Sequence, residues 1–352
     1  MGEPIARACS VLLLLSLAAF MPAFAQSKPE SSLAEVALYQ GENRLQRMID
    51  GARKEGELTV YAVATDINLV TDAFTKKYGI KVKVWRSTSE LVLRRVLTER
   101  RARRFDVDIM ENNPAEMEAA RREKILQQVN SPHHEELLPQ AVPAHREWVG
   151  DSIAIFVQAY NTDKVKKEEL PKTYQDLLEP KWKGRLGIDS GDHAWFAVLL
   201  QELGREKGMK LFKDIIDSNG ISVRTGHSLL TQMVAAGEVH LGLTIYNHRP
   251  VQLKKNGAPI EWFAMPPLIA QLRTMGLIRN SPHPYAAMLF YDFMLSDAQQ
   301  IFFAEHYVPA SKKFDSPLTK LPLKFIDPEL SLDLNEQWVK TYEEAVTKRA
   351  RQ

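Results

Sequence analysis

The chain has 352 residues, a formal net charge of +2 and a single cysteine, Cys9. That near-neutral balance gives no general attraction to nucleic acid or to a membrane surface. A lone cysteine excludes an internal disulfide, and its place near the start keeps thiol chemistry away from the rest of the chain.

The first predicted element is a leader. Arg7 precedes an apolar run, Val11–Phe20, and Pro22 is followed by Ala23-Phe24-Ala25, the small-x-small form that a signal peptidase reads. The run is too short for a stable transmembrane helix. Cys9 precedes it, where a lipid-anchoring cysteine would follow it. Residues 1–25 therefore read as a cleaved signal peptide and the destination as the periplasm. Cleavage leaves 352 − 25 = 327 residues, enough for two lobes of ordinary domain size. Glu3 and Arg7 cancel, so the net charge is unchanged.

Beyond the leader, strands feed helix starts through polar turns. Leu58–Val63 reads as a strand entering Thr65-Asp66 and a helix over Ile67–Tyr78, with Asp66 as its N-cap and Gly79 as its stop. Lys81–Trp85 alternates as a strand. Ser87-Thr88-Ser89-Glu90 then fits a capping box for the helix Leu91–Glu99. Val107–Met110 and Ile153–Tyr160 are further strands. Leu186–Ile188 leads into Asp189-Ser190-Gly191-Asp192-His193 and an apolar helix to Leu203. Ile221–Val223 leads through Arg224-Thr225-Gly226-His227-Ser228 to a helix stopped by Gly237. Val239–Ile245 ends at Tyr246-Asn247-His248-Arg249, and Ile260–Met265 is one more strand. This alternation predicts an α/β architecture with mostly parallel sheets, whose ligands bind beyond the carboxyl ends of the strands.

Several turns admit two readings. Unpaired N–H groups at a helix start favour an anion, but every helix start also needs capping. Arg224 and Arg249 add positive charge beside two turns or lie solvated. His193, His227 and His248 share no H-x-x-H or H-x-x-x-H spacing, so they read as hydrogen-bonding residues rather than metal ligands. His133-His134 with Glu135-Glu136 lies in a Pro-flanked loop and is given no role. The arginines at 94, 95, 100, 101, 103 and 104 read as a solvated helix face, not a nucleic-acid site.

One ordered string is more specific. It runs Trp148-Val149-Gly150, Ala159-Tyr160-Asn161-Thr162, Glu169–Leu177, Pro180-Lys181-Trp182-Lys183-Gly184-Arg185, Ala235-Ala236-Gly237-Glu238, Pro284-Tyr285-Ala286-Ala287 and Leu295–Gln300. In this the chain resembles periplasmic solute-binding proteins of the ferric-ion-binding type. The resemblance implies a two-lobed type II periplasmic binding fold with a ligand cleft between the lobes. It places the first lobe over residues 26–150, completed by about 266–312, and the second over 151–265, completed by about 313–352. Crossing strands near Met110–Asn112 and Ile260–Met265 are expected to act as a hinge. A permease and its ATPase are the implied partners, the receptor is expected to be a monomer, and no cofactor is expected.

The resemblance also gives the expected ligand residues: Thr65, Asp66, Ser89, Glu90, Ser190, Gly191, Asp192, His193, Arg224, Thr225, His227, Tyr246, Asn247 and Arg249. Ferric-binding members hold the metal with two adjacent tyrosines, a histidine after the first strand and a glutamate after the second. Here Tyr246 stands at the first tyrosine, Asn247 replaces the other, and Ala64-Thr65-Asp66 contains no histidine. Glu90 fits the glutamate, and Ser190-Gly191 fits the cradle for a companion anion. An organic anion (carboxylate, phosphate or phosphonate) is thus the expected cargo. Ferric ion on Tyr246 and Glu90 is the alternative. A periplasmic hydrolase is a remote one, since neither a G-x-S-x-G elbow nor H-E-x-x-H is present.

Overall fold

A computed structural model describes residues 32–351, so the leader, Cys9 and the cleavage site lie outside the described residues. The first strands behave as their alternation predicts. β1 (Glu57–Ala62) and β2 (Lys81–Arg86) pair in parallel across the helix Asn68–Tyr78. Gly79 ends that helix in the left-handed region at φ 75°, where a Cβ would be strained. The other end differs from expectation. Ile67 is the cap, and the Asp66 carboxylate turns instead to Arg273, 3.5 Å away. β3 (Ile109–Asn112) pairs with the opposite edge of β1, and β4 (Leu126–Gln127) is a short addition.

β5 (Val149–Asn161) is buried at all 13 positions, which is why its centre, Ile153–Val157, is a continuous apolar run. β6 (Leu186–Asp189), β7 (Ser222–Arg224) and β8 (Leu241–Tyr246) form a second parallel group, with β6 in the middle. β9 (Ile260–Phe263), β10 (Leu268–Ile278), β11 (Val308–Pro309) and β12 (Leu323–Phe325) complete the set. The strand order is β2-β1-β3-β10-β5-β8-β6-β7. The sheet is mixed: the outer ladders are parallel, and the ladders made by β5 and β10 with their neighbours β3, β8 and β9 are antiparallel.

Two apolar cores flank the centre. One draws on Leu33–Val157 and Ala270–Ala310, the other on Phe156–Ile269 and Ile326–Val346. A smaller cluster around Leu230, Val234 and Ile260 supports the second. We call the two halves the first and second lobes.

The crossing strands are β5 and β10, not the segments expected from the resemblance. β5 pairs with β10 through Val149–Ile155 and with β8 through Phe156–Tyr160. β10 contributes Ile269 to the second core and continues into the first from Ala270. Met110–Asn112 stays within the first lobe between β1 and β10, and Ile260–Phe263 pairs only with the second-lobe half of β5. A crossing strand must be apolar on both faces and long enough for two sheets, which four-residue strands are not. The β5–β10 register shifts at Arg273, leaving Asp151 as the extra residue of a bulge on the first-lobe side of the crossing. No helix among the described residues is long and apolar enough to cross a membrane.

Candidate ligand cleft

A cleft of about 540 Å³ opens where the two lobes meet. Its floor includes Phe156 of β5 and Gln271 of β10, so both crossing strands face it. The first-lobe wall comes from the helices Ser89–Arg101 and Pro114–Arg122, through Glu90, Arg94, Arg101, Asn113, Ala115 and Glu116. The second-lobe wall comes from the ends of β6 and β8 and the starts of the helices His193–Leu203 and His227–Ala236. It presents Asp189, Gly191, Asp192, His193, His227 and Tyr246.

On the first-lobe wall the expected capping box does not form. Thr88 caps the helix without a side-chain hydrogen bond, and Glu90 faces the cleft. The Ser89 hydroxyl accepts from Asn113 Nδ2 at 2.7 Å, and its carbonyl accepts from Asn112 Nδ2 at 3.1 Å, which ties the two helix starts together. Desolvation, with Glu90 adding, pushes the Glu116 carboxyl up to about 7. It therefore carries only part of a charge at neutral pH. Arg94 and Arg101 form no ion pair with the described residues. Both are exposed, as a solvated helix face implies, and Glu90, Arg94, Leu97 and Arg101 also make one stripe along the cleft lining at i, i+4, i+7 and i+11. That spacing was the available signal. Arg95 looks elsewhere, packing on Tyr61 and Trp85 at 4.4 and 4.3 Å and pairing with Glu99.

On the second-lobe wall the glycine turns are already occupied. The Asp189 carboxylate accepts the Gly191 N–H at 2.8 Å and the Gly226 N–H at 2.6 Å. Ser190 and Thr225 hydroxyls bond each other at 3.0 Å. The expected anion cradle at Ser190-Gly191 therefore holds the chain's own carboxylate. Asp192 Oδ1 meets His227 Nε2 at 2.9 Å. Burial opposes protonation of His227, but Asp192 and then Asp189 overcome it and hold the imidazole above its ordinary range. Asp189 itself is raised, by desolvation first and Asp192 second. Oxygens and nitrogen of Asp189, Asp192 and His227 lie within 4.8 Å of one another, a grouping able to meet a cation.

Tyr246 stacks on His227 with ring centres 4.2 Å apart, and its hydroxyl accepts from Gln271 Nε2 at 2.8 Å. Desolvation, with Asp192 and Asp189 adding, holds the phenol well above its ordinary range, so it is a neutral hydroxyl. Asn247 does not face the cleft. Its amide oxygen accepts the Ile155 N–H at 3.2 Å and its own N–H donates to the Ile155 carbonyl at 3.0 Å, latching β8 to the crossing strand. Thr65, Arg224 and Arg249 also stand outside the lining; Arg249 donates to Ser228 Oγ at 2.8 Å. His134, given no role, bonds the buried Tyr291 hydroxyl at 2.8 Å.

A second charged group went unread in the sequence. Arg273 of β10 lies 3.5 Å from Asp66 and 4.0 Å from Glu111, and stands 5.0 Å from the centre of the Tyr307 ring. Asp151, desolvated at the bulge, is pushed up to about 7 despite the attraction of Arg273. Glu111 also accepts the N–H groups of Val63 and Ala64 at 2.7 and 2.9 Å.

Comparison with known proteins fits this geometry. Residues 110–328 match the model of the bacterial extracellular solute-binding protein family. The Fe(3+)-binding periplasmic protein of Serratia marcescens is 30% identical over 225 residues, 62% of this chain and 65% of that protein, just under two thirds of its length. A putative 2-aminoethylphosphonate-binding periplasmic protein of Salmonella typhimurium is 24% identical over 65% of this chain and 68% of that one. Among solved structures, the periplasmic binding protein AfuA from Actinobacillus pleuropneumoniae, with exogenous fructose-6-phosphate bound, superposes with a TM-score of 0.72. It is 22% identical and covers 83% of this chain and 99% of its own, a likeness of fold. Two cores joined by shared strands around a lined cleft are the type II periplasmic binding fold, and the chain belongs to the bacterial extracellular solute-binding protein family.

Proposed function

We propose that this chain is the periplasmic receptor of an ABC-type importer. It closes its lobes on a small ligand bearing a carboxylate, phosphate or phosphonate group and presents it to a permease driven by an ATPase. The observation that carries this reading is convergence. The starts of the helices Ser89–Arg101, Pro114–Arg122 and His193–Leu203 all reach one cleft, with Arg94 about one turn along the first of them. Helix starts offer unpaired N–H groups and a positive dipole end, and arginine adds a charge-assisted fork. A ligand touching both walls binds the closed form better than the open one, which shifts the population toward closure.

Calorimetric titration with a panel of small carboxylates, phosphates and phosphonates tests the reading. Removing one charge-assisted contact with Arg94→Ala is expected to weaken binding by about 1.5–3 kcal/mol, roughly 10- to 150-fold. Unchanged affinity in that variant would remove the anion from the first-lobe wall.

One observation favours a second reading. Asp189, Asp192 and His227 form a cation-competent group, and the Serratia relative is named for ferric ion. In that reading iron is the cargo, held with Tyr246. One finding weighs against it: Asn247, at the place of the second tyrosine, is turned into the β5 latch. Iron loading should give a visible charge-transfer band that Tyr246→Phe abolishes; a colourless, iron-free protein with the variant binding its ligand nearly as well supports the organic anion.

A further inference from the structure

The polar helix starts make only part of the cleft lining. Beyond them the first-lobe helices add Leu93, Leu97 and Ala119, and the C-terminal helices Pro328–Asp333 and Asn335–Tyr342 add Leu332 and Val339. All five are half-buried, so each keeps part of its apolar surface open.

Leu332 and Val339 belong to neither core and not to the smaller cluster. The cleft-lining residues of their segment are Pro328, Ser331, Leu332, Asn335 and Val339. They fall at i, i+3, i+4, i+7 and i+11, the spacing of one helical face. Other residues anchor the segment. Trp338 and Tyr342 are buried, and Tyr342 packs on Phe196 with ring centres 5.4 Å apart. An amphipathic helix turns its apolar side to a core. This segment does so with one set of residues and directs a second apolar pair at the cleft.

Both lobes hold the segment there. Asp333 takes the Arg122 guanidinium as a fork, with Nη2 3.2 Å from Oδ2, and the Tyr342 hydroxyl donates to the Asp189 carbonyl at 2.5 Å. The helix Pro114–Arg122 packs against both Ser89–Arg101 and Pro328–Asp333, so the small Ala119 stands on the helix between the two that carry the leucines. Reach follows from helix rise. Leu93 and Leu97 lie about 4.5 and 10 Å along their helix from Glu90, and Ala119 lies about 4.5 Å along its own from Glu116. A molecule with its acidic group at the helix starts therefore lays the rest of its length over these side chains. A metal ion or a bare oxyanion is met by charge and hydrogen bonds and gains nothing from leucine. Hydrocarbon gains in proportion to the area it removes from water.

We infer that Leu93, Leu97, Ala119, Leu332 and Val339 form an apolar subsite of the cleft, so that the cargo is an acid with a hydrocarbon body, a ring or a short chain. This rests on the receptor reading above and names the class of its ligand. The C-terminal segment thereby becomes a specificity wall that the acidic group does not touch.

Calorimetry with three probe series tests it: propionate, hexanoate and 3-phenylpropionate; methylphosphonate, butylphosphonate and benzylphosphonate; methyl phosphate, butyl phosphate and phenyl phosphate. In at least one series affinity is expected to rise by roughly fourfold for each carbon buried, so that the long members exceed the short one by about tenfold or more. Leu332→Asn should cut that ratio by about threefold or more. Ala119→Leu fills the subsite and should weaken the long members by about tenfold while leaving the short one within about threefold. Equal affinity along every series that binds would overturn the subsite and leave the anion receptor standing. So would a ratio that neither variant changes. Failure of every long member to bind overturns the inference, and ferric ion bound in their place overturns the anion reading with it. If a variant does not fold, the other variant and the series on the unaltered chain still decide.

Discussion

Two buried carboxylate groups meet their charge in different ways. At the hinge, Asp66, Glu111 and Asp151 gather around Arg273, a cation that never loses its proton. On the second-lobe wall, Asp189 and Asp192 gather around His227, whose charge depends on pH. The first arrangement is permanent and joins the strands that carry both lobes. The second is adjustable and lines the cleft. A fixed charge suits a part that must hold its shape whether or not ligand is present. An adjustable one suits a wall whose electrostatics must change when a charged group arrives.

Three substitutions can break or sharpen that contrast. Arg273→Met strips the permanent counter-charge from the hinge carboxylates. Breaking a buried pair by removing one partner costs about 3–5 kcal/mol, and chemical denaturation should show a loss of that size. A loss below about 1 kcal/mol would mean that the carboxylates simply take up protons, and the hinge would then be as adjustable as the wall. His227→Gln removes the adjustable cation. A histidine held above its ordinary value stabilises the fold fully below about pH 6.5 and loses that contribution as pH rises through its folded value. The variant should therefore be less stable than the parent by about 1.5–3 kcal/mol at pH 6, with the gap shrinking as pH rises through the folded value. A gap that does not vary with pH would show that His227 acts by packing alone. Asp151→Asn tests the bulge. A carboxyl raised from 3.8 to about 7 costs the folded state nothing at low pH and progressively more as pH rises between those values. The variant should match its parent near pH 4 and exceed it by up to about 4 kcal/mol at pH 8, since a rise of about three units is worth about 1.4 kcal/mol each and already includes the attraction of Arg273. Parallel pH profiles for the two proteins would place the pH dependence elsewhere.

Local chemistry explains why much of the fold was readable from the residues. Gly79 and Gly237 stop helices because the left-handed region is open to glycine, and both lie where expected. Tyr246 ends its strand facing the cleft, and Asp192, His193 and His227 reach it too. What could not be read depends on partners far along the chain. Asn247 looked like a ligand because of its neighbour, but its partner is Ile155, on a strand whose crossing role appears only once both sheets exist. Asp66 looked like a cap until Arg273, more than 200 residues later, claimed its carboxylate. The arginines of Ser89–Arg101 read as one solvated face, and Arg94 and Arg101 are exposed, but on a helix only every third or fourth residue shares a face. Arg94 and Arg101 share one with Glu90, while Arg95 belongs to another.

The two crossing strands have a further consequence, for the order in which the chain acquires structure. β3 waits for β10, whose pairing residues Thr274–Leu277 emerge some 160 positions later, and the first core needs residues through Ala310. The second core needs Ile326–Val346, near the end of the chain. Neither half can be completed until residues as late as Ala310 in one core and Val346 in the other are available. Contacts this distant in sequence also close slowly, because a long loop must be ordered before any pairing rewards it. The interval before either half is complete is therefore built into the strand order itself.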